Sequence, residues 1–191
     1  MNPLLAAVVE FHDFLTERGI SYAIIGGIAV QFWGEPRGTD DVDLTIAVPT
    51  EETEEILAAL LARFASRIPD AAEFARKNRV VLLIASNSVP VDVSLGLPGY
   101  EVEFMARARL TPVDPEHQVR VCSPEDLIIH KALAGRGNDL KDLDMVIASQ
   151  KARLDTAYIR RWLTFFSDTL AMPDPLDRFE AAWRKAHPSP P

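Results

Sequence analysis

Apolar residues recur along this chain in two periods, and the switches between them predict its elements. Leu4, Leu5, Val8, Phe11 and Leu15 recur at helical spacing. Asn2 and Pro3 stand before them as a cap and a first-turn residue, and Gly19 follows as a stop. The run over 20–25 predicts a strand, broken by Gly26 and Gly27, and 28–33 predicts a short helix. The turn GEPRGT is a loop. From 41 to 48 the pattern alternates, with Val42, Leu44 and Ile46 on one side and Asp41, Asp43 and Thr45 on the other, as in a half-buried strand.

The same reading continues to the end. A Glu-rich helix over 51–65 is capped by Thr50, and Asp70 with Glu73 predicts a second capping pair opening a helix to 77. Strands over 79–85 and 89–95 form a hairpin around Ser86-Asn87-Ser88. Residues 99–107 fit a short helix less clearly, and 110–113 with 118–121 predict a further ladder. Ser123-Pro124-Glu125-Asp126 opens a helix that ends at Gly135, and helices follow over 139–149, 155–170 and 175–187. The pattern therefore predicts an α/β (α+β) protein, strands early and helices late. Its expected parts are a domain over 1–150, a helical extension over 151–188 packed on it as part of the same domain, and a tail at 189–191.

Composition narrows the picture. The 191 residues are 48% hydrophobic and 25% charged, ordinary for a globular chain. A net charge of -8 removes a broad basic field for nonspecific nucleic-acid binding. Cys122 is the only cysteine, so no intrachain disulfide forms, which suits a cytoplasmic location. The first residues lack a basic segment, and Glu10 interrupts their apolar run, unlike a signal peptide. No run is long enough to span a bilayer, so no membrane partner is expected.

Three carboxylates carry the candidate chemistry. Asp41 and Asp43, two apart on a strand, point the same way and suit one or two hard cations such as Mg²⁺. Asp92 is the lone acid on the polar face of the 89–95 strand and is the candidate third ligand. Two acids on an alternating strand also fit an ordinary solvated edge. Gly26-Gly27, between a strand and a helix, allows close backbone approach to a phosphate, or simply serves a turn needing positive φ. The four histidines are scattered without metal-ligand spacing.

Taken together, the strand ending in Gly-Gly, the stretch RGTDDVDLTI and the distant lone Asp resemble the nucleotidyltransferase fold of the DNA polymerase β superfamily, in particular AbiEii-type and minimal nucleotidyltransferases. HKALAGRGNDLKDLDMV is similar to the downstream Lys-x-x-Ala-Gly-Arg-x-x-Asp-x-x-Asp segment of those proteins. The resemblance covers about 20–147. It implies a mixed sheet flanked by helices. It also implies Mg²⁺ or Mn²⁺ held by Asp41, Asp43 and Asp92, with Asp92 helping to activate the acceptor hydroxyl. A nucleoside triphosphate would be held by Gly26 and Gly27, with Arg37 and Thr39 at the mouth of the phosphate site and Lys131, Arg136, Asp139 and Asp142 in support. Many members carry Gly-Ser where this chain has Gly-Gly, so the serine hydroxyl is absent.

The implied activity is transfer of a nucleoside monophosphate to a hydroxyl of an RNA end, a protein or a small molecule, in a toxin–antitoxin setting for the AbiEii-like reading. Two other classes fit parts of the pattern. One is a catalytically weak binding module on the same fold, an antitoxin or regulatory partner. The other is a metal-dependent glycosyltransferase, since Asp-x-Asp also serves nucleotide-sugar transfer; the upstream Gly pair and the lone later Asp fit that poorly. Lys131 interrupts an apolar helical run, so it either snorkels to water or faces a polar site. Asp139 and Asp142 share a helix face, and Asp139 also suits a helix N-terminus.

Overall fold

A computed structural model describes residues 2–96, 99–172 and 174–188; the expected tail at 189–191 lies outside them. The chain divides into two compact units: Met1–Ile28 with Gly38–Cys122, and Ala29–Arg37 with Ser123–Pro191.

The first unit holds a mixed seven-stranded sheet. In chain order it contains α1 (Pro3–Glu17), β1 (Ser21–Ile24), the start of α2 (Gly26–Trp33), β2 (Val42–Ala47), α3 (Thr53–Arg63), β3 (Ala65–Ser66), α4 (Ala71–Asn78), β4 (Val80–Ile84), β5 (Pro90–Leu95), α5 (Tyr100–Arg107), β6 (Arg109–Pro112) and β7 (Gln118–Val121). The strand order is β3-β4-β5-β2-β1-β7-β6. β2 runs parallel to β5 and β1 parallel to β7, while the other neighbours are antiparallel.

Alternation sets the two faces of this sheet. Val42, Leu44 and Ile46 of β2, Val91 and Val93 of β5, and Val81 and Leu83 of β4 are buried almost completely. Each such side chain contributes roughly 1.5–3 kcal/mol of burial. The opposite face, with Leu82, Asp43, Asp92 and Ser94, is only half-buried. Pleating sends successive side chains to opposite faces, so the buried valines oblige the intervening acids to lie on the more open side.

The second unit is helical: the remainder of α2, then α6 (Pro124–Ala134), α7 (Gly137–Gln150), α8 (Thr156–Leu170) and α9 (Asp174–Ala186). Its core contains Leu127, Ile128, Leu143, Val146, Ile147, Ile159, Leu163 and Phe179. Local chemistry sets the helix ends. Ser123 Oγ accepts from the Asp126 amide at 3.1 Å, and Gly135 terminates α6 with φ 61°.

Several local details differ from expectation. α2 begins at Gly26, two residues before the apolar pattern does. A 3-10 turn at Thr50–Glu52 precedes α3, which starts at Thr53. Asp70 precedes α4 without a side-chain capping bond, because its backbone (φ -98°, ψ 47°) leaves the extended region an N-cap uses. No helix among the described residues is long and apolar enough to cross a membrane.

Candidate active site

In the first unit the glycine pair and the carboxylates interlock. Gly26 has φ +63°, a conformation that side chains resist, and any Cβ there would lie 2.6 Å from Asp43 Cγ. The Asp43 carboxylate therefore occupies the space a side chain at 26 would take. The Ile25 amide donates to the Asp43 carbonyl at 2.9 Å, tying the end of β1 to β2. A Cβ on Gly27 would meet Thr39 Oγ1 at 2.5 Å and Thr39 Cβ at 2.7 Å. The Thr39 hydroxyl in turn donates to Asp41 Oδ1 at 2.8 Å. The absent serine side chain thus has a physical counterpart: a hydroxyl from position 39 fills the space over Gly27.

Asp43 and Asp92 are register partners in the parallel β2–β5 pair. Their backbones stand about 4.8 Å apart with both side chains on the half-buried face. Asp41 lies just before β2 on the same polar parity and is half-buried, whereas Asp40 is exposed. Asp92 also makes an ion pair with Arg67, a residue the sequence pattern did not single out. Arg67 follows a two-residue strand, too short for a period to register.

Oxygen-only donors on a half-open face suit a hard cation such as Mg²⁺ or Mn²⁺. Gly26, without a side chain, lets the Asp43 carboxylate sit against the turn at the end of β1. No group of three acidic, histidine or cysteine side chains converges on one point among the described residues. The engagement of Asp92 by Arg67 accords with this.

In the second unit the remaining predicted residues also come together. Arg37 grips Asp142 with two bonds, Nε to Oδ1 and Nη2 to Oδ2, both 2.7 Å. Lys131 Nζ lies 2.8 Å from Asp142 Oδ2 and 3.0 Å from Asp139 Oδ1. Arg136 Nε donates to Asp139 Oδ2 at 2.6 Å, and its amide donates to the same oxygen at 3.3 Å. Asp139 thereby caps the N-terminus of α7. Lys131 is 7% exposed, so it does not snorkel; it faces the paired acids. Burial opposes ionisation of Asp139, but hydrogen bonds from Arg136 and Lys131 outweigh it and hold the carboxyl below its usual range. His130, beside Lys131, is pushed down to about 4 by burial and then by the Lys131 ammonium.

The family described as "Nucleotidyl transferase of unknown function (DUF2204)" matches residues 5–172. Among solved structures, the chain is similar to an antigenic nucleotidyltransferase-like protein from Paracoccidioides brasiliensis. The TM-score is 0.54 at 20% identity, covering 94% of this chain and 93% of that one. It is also similar to the antibiotic-resistance factor ANT(2'')-Ia, with TM-score 0.55 at 17% identity over 88% of this chain and 91% of that one. A crystal structure of ANT(2'')-Ia in complex with adenylyl-2''-tobramycin gives 0.55 at 17% identity, over 87% and 99%. At such identities the likeness speaks for the fold. No curated protein is close enough in sequence to count as a match.

Proposed function

From the premise that the chain belongs to this nucleotidyl transferase family, we propose that it is a metal-dependent enzyme that transfers a nucleoside monophosphate from a nucleoside triphosphate to a hydroxyl acceptor. The observation that carries this reading is the juxtaposition of Asp43 with Asp92 in register and with Gly26 at van der Waals range. In this reading the first-turn amides of α2, which lack helical partners, hold the β- and γ-phosphates, with Gly26 and Gly27 allowing the approach. The Thr39 hydroxyl stands over Gly27, where a serine side chain would otherwise lie, with its proton given to Asp41.

Asp41 and Asp43 would hold Mg²⁺ or Mn²⁺, which when bound would lower the pKa of a hydroxyl and offset phosphate charge. Asp92 shares in that site and takes the proton from the acceptor hydroxyl as it attacks the α-phosphate in line, releasing pyrophosphate. Arg37, Lys131, Arg136, Asp139 and Asp142 are proposed as nucleotide-binding residues. Of the three cations Arg136 has the most exposed side chain, 80%, so its replacement is the most direct probe. The acceptor is an RNA end, a protein or a small molecule; the acidity of the chain disfavours a large RNA. An AbiEii-like role in a toxin–antitoxin pair is the finer form of the same reading.

The ion pair between Arg67 and Asp92 favours a second reading, a binding module with little or no catalysis that acts as an antitoxin or regulatory partner. Calorimetry with ATP, CTP, GTP and UTP, with and without Mg²⁺, separates the two. Metal-dependent binding of one triphosphate that disappears when Asp41→Ala and Asp43→Ala are combined supports the enzyme. A folded protein that binds no triphosphate supports the module.

A further inference from the structure

Arg67 is placed by the sheet, not by a loop. Its amide donates to the Leu82 carbonyl at 3.0 Å, extending the β3–β4 ladder one residue beyond Ser66. Ser66 pairs with Leu83, Leu82 with Asp92, and Asp92 with Asp43. Arg67, Leu82, Asp92 and Asp43 therefore form one row across four strands, with side chains on the same half-buried face. Two strand spacings, about 10 Å, separate the backbones of Arg67 and Asp92. An extended arginine covers that span by crossing Leu82, and its guanidinium Nη2 donates to Asp92 Oδ1.

The row sets two carboxylates side by side with one cation. Neighbouring carboxylates repel, and the Arg67 guanidinium relieves that repulsion at Asp92. A divalent cation at the Asp43–Asp92 pair relieves the same repulsion and uses the same oxygens. The Arg67 and Asp92 side chains are 31% and 29% exposed, so solvent screens their attraction and the pair is weak enough to be exchanged.

We propose that Arg67 is a built-in counter-cation that competes with divalent metal for Asp92, so that the third carboxylate joins the metal site only when Arg67 lets go. This rests on the metal-dependent reading of Asp41, Asp43 and Asp92. It makes Arg67 a positioning residue that sets metal affinity. Once released, its five donors are available to an anionic group near the same face.

The test is Mn²⁺ binding by the whole protein without nucleotide, read by calorimetry and by the electron-spin-resonance signal of unbound Mn²⁺. Arg67→Met is expected to bind Mn²⁺ about three- to tenfold more tightly than wild type. Adding Asp92→Asn to Arg67→Met is expected to abolish that gain. A folded Arg67→Met protein with unchanged or weaker affinity overturns the competition while leaving the metal site standing. Absence of Mn²⁺ binding in both wild type and Arg67→Met overturns the metal reading, and the competition with it. A measurement on wild type does not depend on how the variant folds: the Arg67 Nε–H resonance is expected to shift during a Mg²⁺ titration with the midpoint seen by calorimetry. A resonance that stays fixed while metal binds overturns the proposal.

Discussion

Two groups of aspartates in this protein have opposite surroundings. Asp139 and Asp142 are buried to 3% and 1% exposure, and Arg37, Lys131 and Arg136 surround them at 2.6–3.0 Å. Their charges are compensated from within the helical unit. Asp41, Asp43 and Asp92 lie half-buried on a sheet face, close to a glycine pair and a threonine hydroxyl, with Arg67 paired to Asp92. The first group resembles the inside of a folding core that happens to be ionic. The second retains enough exposure for a ligand to add to it. Similar side chains are therefore buried among several cations in one place and half-open to a ligand in the other.

The largest effect that tests this contrast is Asp142→Ala. It leaves Lys131 and Arg37 without their shared acid, and stability is expected to fall by about 3–5 kcal/mol in denaturant titration. Asp41→Ala is expected to change stability by only about 1 kcal/mol or less while abolishing metal-dependent triphosphate binding. Equal stability losses for the two variants would break the comparison.

Acidification gives the next effect. The folded pKa of His130 is about 4, below its usual 6.5. Between those values the unfolded chain takes up a proton that the folded one refuses, so stability is lost as pH falls from 6.5 towards 4. Roughly 3 kcal/mol is expected, seen as a falling melting temperature that flattens in His130→Gln. Asp139 adds to this only at lower pH: its folded pKa is depressed, so its contribution disappears as pH falls below the ordinary carboxylate range.

Gly27→Ser sharpens the other side of the comparison. The new side chain meets Thr39, and a cost of about 1–3 kcal/mol is expected. Thr39→Gly in the same protein removes every clashing atom and should recover much of it, and a double-mutant cycle measures the coupling. The smallest effect belongs to Arg136→Ala. Its side chain is 80% exposed, so no more than about 1 kcal/mol is expected, and a change in triphosphate affinity beyond that would point to a direct part in binding.

Much of the fold was legible because it is written in near neighbours. Asn2 and Ser123 act as N-caps, and Gly19 and Gly135 adopt positive φ where the helices stop. The alternation around Asp43 and Asp92 identified the faces correctly, since side-chain parity follows from the covalent chain. β3 escaped notice because two residues have no periodicity and its partners lie far along the chain. Arg67 escaped with it. For Lys131 the apolar run left open water or a polar site, and only the turn into α7 brings Asp139 and Asp142 to it.

The sequence by itself determined the caps at Asn2 and Ser123, the two periodicities, the polar face on which the acids stand and the motif resemblance, all of which depend on residues close together in the chain. Tertiary structure decided which acid stands beside which cation. Strand register set Asp43 against Asp92 and let Arg67 reach across Leu82, and helix packing buried Asp142 between Arg37 and Lys131. Charge compensation is a matter of distances through space, and no local pattern in the chain specifies those.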